Sequence, residues 1–138
     1  MSIKEYNKLT YKEKLALVRF YSEEAKKYED HYIRLEAYRA LGFTKEAKKD
    51  KNADIRLQAY EALGYTKEAL KDKDWFIRTK AYRALGFTKE AFKDEDADIR
   101  RDAYRNLGYT EEALNDKDYN IRREAKIYLD FIKLNKKI

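Results

Sequence analysis

The chain has no cysteine and no proline, one tryptophan, one histidine and four glycines in 138 residues. Without cysteine there is no disulfide framework, no thiolate metal site and no thiol nucleophile, and a reducing, cytoplasmic setting is expected. His31 is the sole histidine, and Ser2 and Ser22 are the sole serines, so neither a Ser–His nor a Cys–His nucleophile can be assembled. The first twenty residues carry charge throughout, so no secretory leader is expected there, and no apolar run is long enough to span a bilayer. Carboxylates are plentiful, but they recur in phase along the chain, which marks them as scaffold. These absences point to a non-enzyme that needs no cofactor.

What is present is a repeat. Aligned on Ile-Arg, four segments of 22 residues begin at Ile33, Ile55, Ile77 and Ile99, and a divergent fifth copy begins at Ile121. A fixed period of this size belongs to a solenoid, in which each repeat buries its apolar face only against its neighbours. Charged residues make up 42% of the chain and apolar ones 43%, a balance that suits helices with heavily solvated faces rather than disorder.

Within one repeat, Ile55, Ala59, Ala62 and Leu63 form a single helical stripe. Asn52, Asp74, Asp96 and Asp118 precede that stripe as N-caps, and Asp54 and Asp98 fall in the first turn, where negative charge suits the helix dipole. Gly42, Gly64, Gly86 and Gly108 share one phase and are expected to end the helix in the left-handed conformation. Thr44, Thr66, Thr88 and Thr110 then cap a segment of about six residues, short enough to be 3₁₀.

The ends depart from the pattern. Residues 1–32 form an N-terminal cap, with Thr10 and Glu13 making a capping box and Phe20 in place of the glycine. Residues 33–120 hold four full repeats, and 121–138 form a C-terminal capping helix that runs past Asp130 and exposes Lys133, Lys136 and Lys137. All 138 residues read as one domain. The net charge of +6 is uneven, since residues 121–138 carry six basic and two acidic side chains while 55–98 is balanced. A nucleic-acid groove along the whole length would show basic excess in every repeat, and this chain does not.

The recurring string D-x-D/N-x-x-I-R-x-x-A-Y-x-A-L-G, over about residues 33–127, resembles HEAT-like repeats, especially the short bacterial kind and the leucine-rich variant repeats that pair an α-helix with a 3₁₀ turn. HEAT repeats are usually longer, with two full helices; here the second is clipped. The resemblance implies an all-α, right-handed α-solenoid and a binding protein. HEAT-like proteins include some that bind nucleic acid and a few that take part in base excision, but none of those catalytic residues can be placed on this sequence.

Four sets of residues admit two readings each. Asp50/Arg56, Asp72/Arg78, Asp94/Arg100 and Asp116/Arg122 are six apart, and read as a ladder between neighbouring repeats rather than a row of phosphate ligands. Asp94-x-Asp96-x-Asp98 and Asp50-x-Asn52-x-Asp54 imitate half an EF-hand loop. The required glycine is Ile99 or Ile55, and the closing position is Arg105 or Glu61, so these are caps and no metal is expected. Tyr38, Tyr60, Tyr82 and Tyr104, with Phe43, Tyr65, Phe87 and Tyr109, read as inter-repeat filler rather than stacking platforms for bases. Trp75 and Phe76 stand where other repeats place Ala-Asp, and are either partner anchors or plugs of an inter-repeat gap.

Binding information belongs at the positions where repeats differ, because those that recur are dictated by the fold. On that basis Trp75, Phe76, Tyr119, Arg83 and Arg105 are the candidate anchors for a protein partner, with action by occlusion or scaffolding as a monomer. The rival is a nucleic-acid binder using an arginine ridge of Arg83, Arg101, Arg105 and Arg123 with Lys133. No membrane partner is expected.

Overall fold

The computed structural model describes residues 3–136, which contain eight α-helices, four 3₁₀ turns and no strand. Ser2 and Lys137 lie outside the described residues. The helices are α1 (Ile3–Asn7), α2 (Tyr11–Leu17), α3 (Ser22–Ala25), α4 (His31–Leu41), α5 (Ala53–Leu63), α6 (Trp75–Leu85), α7 (Ala97–Leu107) and α8 (Tyr119–Asn135). The 3₁₀ turns are η1 (Ala47–Lys49), η2 (Lys67–Lys71), η3 (Lys89–Lys93) and η4 (Glu111–Asn115). The chain divides into two compact halves, residues 1–66 and 67–138. No described helix is long and apolar enough to cross a membrane.

Helix starts follow from local chemistry. The side chains of Asp30, Asn52, Asp74 and Asp96 accept from the backbone N–H groups two and three residues on, and Asp118 accepts from Ile121 N–H at 3.0 Å. Each satisfies donors that the first helical turn leaves free. Thr10 and Glu13 form the expected capping box, at 3.2 and 3.0 Å.

Two expectations at the helix ends need correction. The four glycines do have positive φ, from 83° to 99°, but ψ lies near 145°, so they are not left-handed helical. The N–H of Gly64, Gly86 and Gly108 closes a last α-helical bond to the tyrosine four residues back, and the chain then leaves extended. Thr88 and Thr110 do start their turns, but through the carbonyl that receives Ala91 or Ala113 N–H, with no cap from the hydroxyl.

The core is a set of small clusters, each built by two consecutive repeats. In the C-terminal half, Tyr82 of α6 and Ala91 of η3 meet Ile99 and Ala103 of α7, and Tyr104 and Ala113 meet Ile121 and Ala125 of α8. The N-terminal half repeats the scheme with Tyr38, Ala47, Ile55 and Ala59, joined by Leu35. Its first cluster is different: Tyr6 of α1 fills the site with Val18, Ala25, Ile33 and Ala37, and its hydroxyl donates to Lys14 O at 2.8 Å. Each buried isoleucine contributes about 1.5–3 kcal/mol. The alanines let helix and turn approach closely while the tyrosines fill the remaining volume. Phe43, Tyr65, Phe87 and Tyr109 stack on them within their own repeats at 5.5–6.3 Å between centroids.

The buried stripe is therefore not the one expected. Ile55 and Ala59 are buried, but their companions are Arg56 and Tyr60, whereas Ala62 and Leu63 are exposed. Leu41, Leu63, Leu85 and Leu107, the last helical residue of each repeat, all stand about half in solvent.

The arginines after the first four isoleucines, Arg34, Arg56, Arg78 and Arg100, are buried, and burial is tolerated because their guanidinium groups are bonded. Arg78 places Nε and Nη2 on Asp94, each at 3.0 Å, and Nη1 on the carbonyls of Asp72 and Lys73 at 2.9 and 3.2 Å. Arg100 does the same with Asp116 and the carbonyls of Asp94 and Glu95, and Arg34 with Asp50 and those of Tyr28 and Glu29. A ladder exists, but its carboxylate is the one sixteen residues onward; the aspartate six residues back supplies a backbone carbonyl. The carboxylates of Asp50 and Asp116 are desolvated, which alone raises their pKa. The guanidinium hydrogen bonds, a backbone N–H and the nearby charge outweigh that, and both settle below the usual range.

Candidate functional site

Because Asp74 caps α6, Trp75 and Phe76 occupy its first two positions, where side chains project from the helix end. Trp75 is 51% exposed and Phe76 41%, their rings edge to face at 5.8 Å. Trp75 is thus half in solvent, and Thr79, one turn on, is buried and donates its hydroxyl to Trp75 O at 2.9 Å. Lys80 Nζ lies 5.4 Å from the Phe76 ring. In the same half, α7 opens with Ala97-Asp98 and α8 with Tyr119, which is 64% exposed and 5.8 Å from the Arg122 guanidinium. Large aromatics on α6 and α8 thus flank a helix that starts with a small residue, on a polar edge. Aromatic anchors with a small neighbour are what a partner side chain inserts between.

The arginines of the proposed ridge are held by acids. Arg83 approaches Asp102 at 3.5 Å, and Arg105 bonds Glu124 through Nη2 at 2.6 Å and Nε at 3.2 Å. Arg101 lies 3.8 Å from the same carboxylate and 3.9 Å from Asp98. Arg123 and Lys133 are exposed with no ion pair among the described residues. The five do not make one surface of free cations: three are spent on neighbouring helices.

A third feature was not singled out from the sequence. Glu124 of α8 gathers Arg105, Arg101 and the hydroxyl of Tyr109, and the Tyr109 ring lies 5.6 Å from Tyr128. Burial, reinforced by the Glu124 carboxylate, pushes the Tyr109 phenol up to about 12. The Arg105 hydrogen bond holds Glu124 below the usual range. Beside this cluster opens a shallow groove lined by Tyr109, Ile127, Tyr128 and Phe131. The apolar letters of IYLDFIKLN carry the signal, since Ile127, Phe131 and Leu134 share one stripe, which a capping helix alone does not require. The lysines Lys133 and Lys136 are exposed as expected, and an apolar face stands exposed with them.

The His31 ring packs on Tyr32 at 4.2 Å, and the Ser22 hydroxyl donates to Val18 O at 2.8 Å. Asp94 is committed to Arg78 and Asp96 to the α7 cap. Among the described residues no group of three or more His, Asp or Glu is placed to hold a metal ion. No protein-family model matches the chain, and neither the curated proteins nor the solved structures give a match.

Proposed function

We propose that this chain is a short HEAT-like repeat protein, its repeats stacked as a right-handed solenoid, and that it serves as a non-catalytic scaffold for a protein partner. Trp75, Phe76 and Tyr119 are the anchors, and the protein acts by occluding or positioning what it binds. The observation that carries this reading is the half-exposed Trp75–Phe76 pair at a position where α5 and α7 carry Ala-Asp. Residues dictated by folding recur; this pair does not, and it is not buried. Arg83 and Arg105, already engaged by Asp102 and Glu124, are secondary contacts at the rim. The same engagement is why a protein partner is preferred to nucleic acid, whose phosphates would have to displace those carboxylates. The absence of cysteine is why a cytoplasmic setting belongs to the proposal.

Trp75 is the only tryptophan, so its fluorescence reports on this edge alone. Trp75→Ala should change the unfolding free energy by less than about 1 kcal/mol, as for an exposed side chain. It should also remove a partner that the wild-type protein retains from a lysate of its source cell, as quantified by mass spectrometry. A stability loss above about 3 kcal/mol, the cost of truncating a core aromatic, would instead make Trp75 a packing residue. Labelled DNA and RNA provide the counter-test: micromolar binding with a steep salt dependence would transfer the function to the arginines.

A further inference from the structure

The outer face of α8 sits where a following repeat would stack. Inside the C-terminal half, the contacts from one helix to the next come from fixed phases. Tyr104 packs on Ile121 and Ala125, Arg105 bonds Glu124, and Tyr109 meets Glu124 and Tyr128. Twenty-two residues onward, those three phases are Lys126, Ile127 and Phe131. Ile127 is 61% exposed and Phe131 59%, and Leu134, one turn further on the same stripe, is 61% exposed. In α6 and α7 the phases of Lys126 and Ile127 face the next helix; Phe131 and Leu134 prolong that face along the part of α8 that runs past the glycine position, and nothing among the described residues covers it.

We infer that this face of α8 docks an amphipathic helix of another protein, one that carries acidic residues beside its apolar stripe. Three observations select that occupant. The first is continuity: the groove walled by Tyr109 and Tyr128 continues an interface that elsewhere in this half is filled by a helix, and its concavity fits a helical ridge better than a flat bilayer. The second is charge. Two acids border the groove and both are committed, Glu124 to Arg105 at 2.6 Å and Asp130 to Lys126 at 3.1 Å, which leaves Arg123 and Lys133 as exposed cations with no ion pair among the described residues. A second copy related by a two-fold axis would set those cations against themselves, whereas acidic flanks neutralise them. The third is size. Ile127, Phe131 and Leu134 together present roughly 350 Å², less than half of the ~800 Å² per partner of a standard interface, and the scale of one helix rather than a stable dimer. Tyr119 lies about 12 Å away along α8, eight residues at 1.5 Å each, so this surface is separate from the Trp75 edge.

The probe is a synthetic helical peptide with leucines on one stripe and glutamates on both flanks, and a twin with lysine in place of glutamate. Both are titrated into the isotope-labelled full chain and followed by amide NMR. The glutamate peptide should shift amides of residues 123–135 and saturate, and the lysine twin should bind at least tenfold more weakly. Phe131→Glu should abolish the shifts while leaving the thermal melt in place, because the ring is mostly in solvent. Lys133→Glu should narrow the preference between the twins, a readout that loss of folding would not produce. Trp75→Ala should leave the titration unchanged whether or not the Trp75 edge binds anything.

Equal binding of the twins, or no shift in α8, overturns the inference. So does a solution mass above 16.6 kDa that Phe131→Glu returns to monomer, which would assign the face to a second copy. Capture of α8 by phosphatidylserine vesicles in place of the peptide would assign it to a membrane surface.

Discussion

Removing one partner of the Arg78–Asp94 pair tests whether the ladder holds the repeats together. Both side chains are 7% exposed. Asp94→Ala leaves a buried guanidinium without its two carboxylate bonds and also takes the acceptor from Asp96 N–H, bonded at 2.9 Å. Arg78→Met leaves the carboxylate uncompensated and strips the carbonyls of Asp72 and Lys73 of their donor. Each change should cost about 3–5 kcal/mol, because a desolvated charge is left unpaired. The double variant should cost about 4–5 kcal/mol rather than the sum, since neither charge is then orphaned, giving a coupling of about 2–5 kcal/mol. For a cooperative unit of this size, Asp94→Ala corresponds to a melting point lower by about 15–30 °C. Urea unfolding followed by circular dichroism measures all three. Arg105→Met is the control: Arg105 is 54% exposed, and breaking its pair with Glu124 should cost about 1 kcal/mol or less. A loss below about 1 kcal/mol for Asp94→Ala, or additivity in the double variant, refutes the ladder as a source of stability.

Three further outcomes follow from local geometry. Gly86 has φ +98° with ψ 144° and no atom within 4 Å of where a Cβ would stand, so Gly86→Ala should cost about 1–3 kcal/mol, all of it backbone strain visible in urea unfolding. Asp50 and Asp116 have lowered pKa values in the folded state. Their contribution is complete above the unfolded value of about 4 and disappears as pH falls through the lower folded values; Asp116→Asn should flatten the acid limb of a stability–pH curve. Tyr109, held neutral to about 12, favours the folded state until pH rises from about 10 through that value. The difference absorbance titration between wild type and Tyr109→Phe should show the late phenol, and Glu124→Gln should move it part of the way back, because burial persists.

Where the chemistry is local, the sequence was legible. Asn52, Asp74 and Asp96 were assigned as caps because a short acceptor before an apolar stripe has one good use, and the 22-residue period located every repeat. The partner of Arg78 was not legible, since Asp72 and Asp94 are both in phase and only the position of the next turn decides between them. Leu63 looked like core by spacing, but burial depends on how far the neighbouring turn extends, which a single helical wheel cannot contain. Trp75 is open for a related reason: how far an aromatic at the first helical position is covered depends on its neighbours in space, and the letters of one repeat do not contain them; the ring stands 51% exposed. The α8 stripe was visible in the letters but had no meaning until the phases that touch a following helix were known.

The far half of α8 has a further consequence, in time rather than in space. Ile121 and Ala125 are the only buried residues of this 17-residue helix, so from Lys126 onward its backbone bonds are held by no closed packing. Amides in α6 and α7, whose tyrosines and isoleucines lock two repeats at once, exchange with solvent only when that half of the molecule opens as a unit. Amides between residues 130 and 135 need only the helix to unwind from its end, an event of the microsecond class that costs little. Exchange protection along this one helix should therefore fall from near the global value to almost none within about three turns. Anything that seats on Phe131 must first stop that unwinding, and its dwell time will be set as much by the helix as by the contact.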